Sequence, residues 1–269
     1  MYIDTHCHLN FKDFDEDRAM TIGNAKKAGV KRFIVPGVNL YSSEQAIELS
    51  KKHPGVIFSA IGIHPYEAQM DAAQTHETLE ALEALLAGLR TQDSGLRTVV
   101  AIGECGLDYH LYKGEDARSK KQNQRTLFRE QLKIGLTHHL PVIMHCRDAF
   151  SDFFDVIDSI PDVPRGVIHC FSGGLQELRM ATDRNLFIGV DGNVTYSTHH
   201  QMLVPEIPLS TLLLETDAPY LTPIPHRGTR NEPKYIPSIA QEIARLMHQS
   251  KDSIQTITTQ NAVSLFQIS

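Results

Sequence analysis

Six side chains stand out because their types bind metal ions and because each closely follows an apolar run. His6 and His8 flank Cys7. Glu104 follows Val99-Val100-Ala101-Ile102, with Gly103 between. His145 follows Val142-Ile143-Met144, His169 follows Val167-Ile168, and Asp217 comes soon after Leu212-Leu213-Leu214. Histidines at i and i+2 lie on the same side of an extended segment, so His6 and His8 can reach one ion together. An isolated His-x-His is a weak signal, since two polar residues at a strand end would look the same. The other four strengthen it: unrelated polar caps would be of mixed type, whereas these are all good ligands. Six protein donors exceed what one zinc ion takes, so two ions bridged by a carboxylate fit better. Glu104 is the natural bridge, with His6, His8 and Asp217 on one ion and His145 and His169 on the other. Imidazole with carboxylate suits zinc, manganese, iron or cobalt; magnesium is a poorer match.

The elements needed to bring these residues together can be read from the same runs. Candidate strands cover residues 2–5, 32–36, 56–63, 98–102, 141–144, 166–168, 186–190 and 211–214. They are mostly aliphatic and bounded by Gly, Pro or polar residues, as strands buried on both faces should be. Helical stripes lie among them: Leu79, Leu82, Leu86 and Leu89; Phe128, Leu132 and Leu136 within residues 118–138; Ile236, Ile239, Ile243 and Leu246; and a last helix over residues 253–266. The stretch 87–97 reads as a helix end followed by a surface loop. Eight alternating units predict a single (β/α)8 TIM barrel over residues 1–269. An open doubly wound sheet is disfavoured because no GxGxxG follows the first strand. Barrel active sites lie at the C-terminal ends of the strands, and that is where all six candidates fall.

The thiols Cys7, Cys105, Cys146 and Cys170 each directly follow a proposed ligand. On a strand the next residue faces the other way, so they are expected under the outer helices as small apolar groups. Glu215, two positions before Asp217, is expected to orient a ligand or to form a structural ion pair. His64 and Asp108 are placed on loops after the third and fourth strands, where they touch substrate or shape a turn. Arg147 and the basic loop carrying Arg227 and Arg230 suggest a phosphate-bearing substrate, because the guanidinium fork matches phosphate oxygens.

Composition narrows the class. Hydrophobic residues make up 41% and charged residues 22%, an ordinary globular balance. The formal net charge of −6 argues against a protein that coats nucleic acid by charge alone. It leaves an enzyme open, since bound cations supply a local positive field. No apolar run approaches the roughly 18 residues a membrane span needs. The amino terminus lacks the pattern of a signal peptide. A cytoplasmic monomer is expected.

Taken together, Asp4-Thr5-His6-Cys7-His8-Leu9, Gly62-Ile63-His64-Pro65, the segment from Ala101 to Tyr109, Pro141 to Ala149, His169-Cys170-Phe171-Ser172-Gly173, Leu214 to Leu221 and His226-Arg227-Gly228 through Pro233 resemble the TatD family of metal-dependent deoxyribonucleases. The resemblance runs through nearly the whole chain in order. It implies an amidohydrolase-like barrel, the same six metal ligands, and exonuclease action from 3′ ends on single-stranded DNA, with RNA as a further substrate. On that reading Asp217 and Glu104 are the catalytic carboxylates, and Asp217 accepts the proton of the attacking water. One departure is visible: relatives often carry Lys after the Arg-Gly of the final loop, where this chain has Thr229 and then Arg230. Two other readings remain. A small-molecule amidohydrolase would also use His-x-His on the first strand, although many carry a carboxylated lysine where Glu104 stands. A non-catalytic metal-binding scaffold would not need a polar mouth.

Overall fold

The computed structural model describes residues 1–68, 72–90, 98–110 and 120–268. Eight strands form one parallel sheet in sequence order: β1 (Tyr2–Asp4), β2 (Val30–Pro36), β3 (Ile57–Ile61), β4 (Val99–Asp108), β5 (Val142–Arg147), β6 (Gly166–Ile168), β7 (Phe187–Val190) and β8 (Leu212–Leu214). The two sheet edges meet just beyond β1 and β8. Thr5 N–H donates to Leu214 O at 3.1 Å, Asp217 N–H to His6 O at 2.9 Å, and His8 N–H to Ala218 O at 2.7 Å. Cys7 and Ala218 form a parallel bridge there. The arrangement is the (β/α)8 TIM barrel expected from the sequence.

Alternation along each strand sorts the side chains into two clusters. Ile3, Ile34, Ala60, Ala101, Ile143, Val167 and Leu213 form the inner one. Their neighbours, among them Val35, Ile102, Val142, Met144, Ile168, Leu212 and Leu214, join the outer one beneath the helices. Helices α1 (Arg18–Lys27), α2 (Leu40–Lys52), α3 (Ala72–Arg90), α4 (Lys121–His138), α5 (Phe150–Asp158), α6 (Leu175–Asp183), α7 (Thr198–Leu203) and α8 (Ile236–Leu246) follow the strands. The expected stripes face inward: Leu82, Leu86, Phe128, Leu132, Ile236, Ile239 and Ile243 are buried. Helix α9 (Lys251–Phe266) ends with Leu265 and Phe266 against the inner cluster, and Ile268, just beyond it, joins them. Of the stretch 87–97, residues 87–90 continue α3, and 91–97 lie outside the described residues. The start of the helix expected over residues 118–138 moves to Lys121.

Strand parity explains how the barrel aims its polar ends. Ile143 faces inward, so His145, two residues on, does too; the same step leads from Val167 to His169 and from Leu213 through Glu215 to Asp217. Strand β4 needs a correction to this rule. From Ala101, plain alternation would point Glu104 outward. The β4–β5 register shifts between Ile102 and Cys105, which returns Glu104 to the inner face and puts Cys105 in the outer cluster. The strand then runs on to Asp108, so this residue closes a strand; it was expected on a loop.

Two glycines make the close approach of β4 to β5 possible. Gly103 has φ +142° and Gly106 φ +147°. A Cβ would sit 2.6 Å from Ile143 O at Gly103 and 1.9 Å from His145 O at Gly106. Gly106→Ala is therefore expected to destabilise the protein by at least about 2 kcal/mol, through strain and overpacking together. Urea unfolding measures it; an unchanged midpoint would contradict the close packing of β4 on β5.

Candidate metal centre

The Glu104 carboxylate is buried at the C-terminal mouth of the barrel, and its two oxygens face two different sets of donors. Oε2 lies 3.3 Å from His6 Nε2 and 3.6 Å from His8 Nε2. Asp217 Oδ1 completes that set, 3.6 Å from His6 Nε2 and 3.4 Å from His8 Nε2. Oε1 lies 2.8 Å from His169 Nε2, 3.1 Å from His145 Nδ1 and 3.4 Å from His64 Nε2. The rings of His6 and His169 stack at 4.0 Å and join the two sets. The structure thus brings together all six residues singled out as ligands.

The donor chemistry fits divalent cations. The Nε2 atoms of His6 and His8 face each other at 3.2 Å. The Nδ1 atoms of His6, His8 and His169 are buried without a hydrogen-bond partner. Ligands at about 2.1 Å around a tetrahedral ion stand about 3.4 Å apart, which is the spacing seen around Glu104 Oε2.

Electrostatics match this picture. Burial by itself would raise the Glu104 carboxyl; His169, His64 and His145 outweigh it and hold the group well below the usual carboxylate range. Burial likewise opposes ionisation of Asp217, but His8 and His6 bring its pKa down. Burial, reinforced by His169, lowers His6 to about 4, so it stays neutral as a ligand must. His145 goes the other way. Burial disfavours its charge, yet hydrogen bonds to Asp108 and Glu104 raise it to about 9.

Neighbouring residues hold these groups in place. Asp108 Oδ2 lies 3.3 Å from His145 Nε2, so Asp108 orients a candidate ligand; it does not line the cavity, contrary to its expected part in binding substrate. The Gln124 amide bonds both N–H and C=O of Asp108, and the Gln131 amide does the same for Ile63, beside His64. Both glutamines lie on α4, so one helix sets the end of β4 and the loop after β3. Asp4 accepts from Thr216 N at 3.0 Å, Thr216 Oγ1 at 2.6 Å and His6 N at 3.3 Å, which pins the β1–β8 seam. Sequence reasoning passed over Asp4, Gln124 and Gln131. Only Asp4 left a signal, being an acidic residue two positions before the first histidine of the pair.

Glu215 is fully buried, and its Oε1 accepts from the Cys170 N–H. It therefore supports the turn that carries His169. Three of the thiols sit as expected, with Cys7, Cys105 and Cys146 in the outer cluster. Cys170 departs. Strand β6 ends at Ile168, the pleat no longer applies, and at φ +46° the residue stays out of the outer cluster; it lines the cavity, as part of Cys146 also does. His169, Cys170 and Glu215 make a further trio whose ligand atoms lie within 4.8 Å of one another.

A cavity of about 680 Å³ opens above the centre. His64 and Arg147, the residues expected to touch substrate, are among those that line it. His64 Nδ1 accepts from the Tyr66 N–H, so its proton resides on Nε2, facing Glu104. Arg227 lies outside the lining, with its guanidinium 3.8 Å above the Tyr196 ring. Arg230 was expected at the substrate and is not there. It pairs with both oxygens of Asp17 at 2.9 and 2.6 Å and tethers its loop to the start of α1.

Residues 3–267 match the family model described as TatD related DNase. The chain is 37% identical over 271 residues to the metal-dependent hydrolase YabD of Bacillus subtilis, covering all of both chains. It is 34% identical over 274 residues to the 3′-5′ ssDNA/RNA exonuclease TatD of Salmonella typhimurium, with 98% of each covered. The crystal structure of YjjV, a TatD homologue from Escherichia coli K12, superposes with a TM-score of 0.88 at 30% identity, covering 100% of this chain and 98% of that one.

The state of His145 yields a test. Near pH 7.5 it carries a proton in the stripped protein, and it must lose that proton to act as a ligand. Uptake of Zn²⁺ or Mn²⁺ is expected to release roughly one proton from this residue, and Asp108→Asn is expected to reduce the release. Calorimetry in buffers of different ionisation enthalpy measures it. With the folded pKa above the ordinary histidine value of 6.5, the stability His145 contributes to the stripped protein is complete below that pH and is lost as the pH rises through about 9. Uptake with no proton release in this range would contradict the assignment of His145.

Proposed function

The chain belongs to the family of TatD-related DNases, which are metal-dependent hydrolases, and from that premise we propose that it removes nucleotides from the 3′ ends of single-stranded DNA, and of RNA, at a two-metal centre. The observation that carries this reading is the division of the Glu104 carboxylate, one oxygen toward His6, His8 and Asp217, the other toward His145 and His169. Those two sets would each hold one ion. Zinc, manganese or iron suits the donors by type, and magnesium less well. Bound there, such ions supply water activation at neutral pH and neutralise charge on the phosphate.

The remaining work falls to the chain's own side chains. Asp217 lines the cavity as an ionised carboxylate and is placed to accept the proton of the attacking water. His64 presents its Nε2–H at the same mouth and can donate to a phosphate oxygen. Arg147, on the far side, pairs with a non-bridging oxygen. Arg227, resting on Tyr196, offers positive charge to the approaching strand. The alternative of a small-molecule amidohydrolase uses the same donors, but the relatives and the cationic side of the cavity favour phosphate.

The four thiols are free, which suits a reducing compartment. Among the described residues no helix is long and apolar enough to cross a membrane. We read the protein as a cytoplasmic monomer.

EDTA-stripped protein supplied with Mg²⁺, Mn²⁺ or Zn²⁺ is expected to cut 5′-labelled single-stranded DNA to a one-nucleotide ladder. Glu104→Ala should lower the rate by about a hundredfold or more. Absence of cleavage with every metal, from protein shown to carry ions, would overturn the nuclease reading and turn the search to amides and lactones.

A further inference from the structure

The wall of the cavity is divided in two. Strands follow one another around the barrel in sequence order, with β8 returning to β1. Residues after β8, β1, β2 and β3 therefore form one continuous arc, and those at β5, β6 and β7 the opposite arc. On the first arc the lining is aromatic and aliphatic: Tyr220 and Leu221, then Phe11, Val38 and Tyr66. On the second it is cationic and polar: Arg147, Ser172 and Asn193. Asp217 and Glu104 stand near the boundary between the two.

Two of the aromatic rings touch histidines of the site, a candidate ligand and the neighbouring His64. The Phe11 ring stacks on His8 at 4.3 Å with 16° between the planes, and the Tyr66 ring lies 4.5 Å from that of His64. Tyr66 and Tyr220 line the cavity and are 50% and 54% exposed. A flat group reaching these rings is one unit away from the reacting phosphate.

Charge decides which unit that is. Glu67 joins the aromatic arc, and among its described lining residues there is no Lys or Arg. Such a wall repels further phosphates. A 3′-terminal nucleoside brings none beyond the scissile one, whereas the upstream strand brings one with every nucleotide and suits the Arg147 arc. Resting on the nuclease reading, we infer that the arc of Tyr220, Phe11 and Tyr66 is a stacking subsite for the base of the 3′-terminal nucleotide, and that the strand leaves over the Arg147 side. Stacking on an open ring accepts any base, as processive removal from an end requires.

The test compares release of the first residue from three single-stranded oligonucleotides: a 3′-terminal thymidine, a 3′-terminal tetrahydrofuran abasic residue, and an abasic residue at the penultimate position. The wild-type enzyme is expected to lose about ten- to hundredfold in kcat/KM with the terminal abasic residue, and much less with the penultimate one. Tyr66→Ala and Tyr220→Ala should lower kcat/KM on the thymidine end and shrink its advantage over the abasic end. Tyr66→Phe and Tyr220→Phe, which keep the ring, should restore both. Tyr41→Ala, at a residue 71% exposed and outside the cavity lining, serves as control. Equal cleavage of both ends by an active enzyme would overturn the subsite and leave the nuclease reading intact. So would greater sensitivity to the penultimate base, or Phe variants as impaired as Ala. An enzyme inactive on every oligonucleotide would overturn both.

Discussion

The structure depends on a carboxylate that the fold buries among histidines. An isolated ionised carboxylate in a protein interior costs several kcal/mol, even after relaxation. Glu104 is tolerated because imidazole nitrogens surround both oxygens and because the site is built to receive cations. Its inward orientation is itself a departure from regular strand geometry. It requires a shifted register in β4 and glycines at 103 and 106 that let the strand press against β5. The carboxylate on which the two donor sets converge thus lies between the two glycines where β4 presses on β5.

The rest of the mouth is arranged to keep those donors still. All six lie within or just beyond the C-terminal ends of five strands of the barrel wall, β1, β4, β5, β6 and β8, a rigid base for a site. Asp4 ties the His6 backbone to Thr216, and so to Asp217. Helix α4 grips the loop after β3 and the end of β4 through Gln131 and Gln124, each side-chain amide pairing like a short stretch of sheet with one backbone residue. Arg230 fastens the last basic loop to α1. The cavity lies above this frame, with His64 and Arg147 near the centre and the aromatic arc across from the cationic one.

Much of this architecture was legible because it rests on local rules. The apolar runs marked all eight strands, and the two-residue period placed His145, His169 and Asp217 on the inner face with Ile143, Val167 and Leu213. The same period put Cys7 and Cys146 on the outer side, and Cys105 opposite Glu104. The rule failed where the backbone departs from a regular strand. Nothing in the string Ala101-Ile102-Gly103-Glu104 shows a register shift, so β4 was expected to end at 102 and Asp108 to lie on a loop. Cys170 lies past the end of β6, where alternation has no hold. Helix α5 is too short for a stripe to stand out, although Phe153, Phe154, Val156 and Ile157 are buried. Arg230 shows a different limit. Its charge suggested phosphate, but the Asp17 carboxylate that engages it is more than two hundred residues away in sequence and met only in the fold. Gln124 and Gln131 read as ordinary polar helix residues, because their partners are backbone groups that no residue type announces.

The central claim is that the two oxygens of Glu104 serve two ions. The most direct measurement is anomalous diffraction from crystals of the protein loaded with Mn²⁺ or Zn²⁺. The account predicts two peaks flanking Glu104, one against His6, His8 and Asp217 and the other against His145 and His169. A single peak, or a second ion held by His169, Cys170 and Glu215 away from the Glu104 carboxylate, would contradict it.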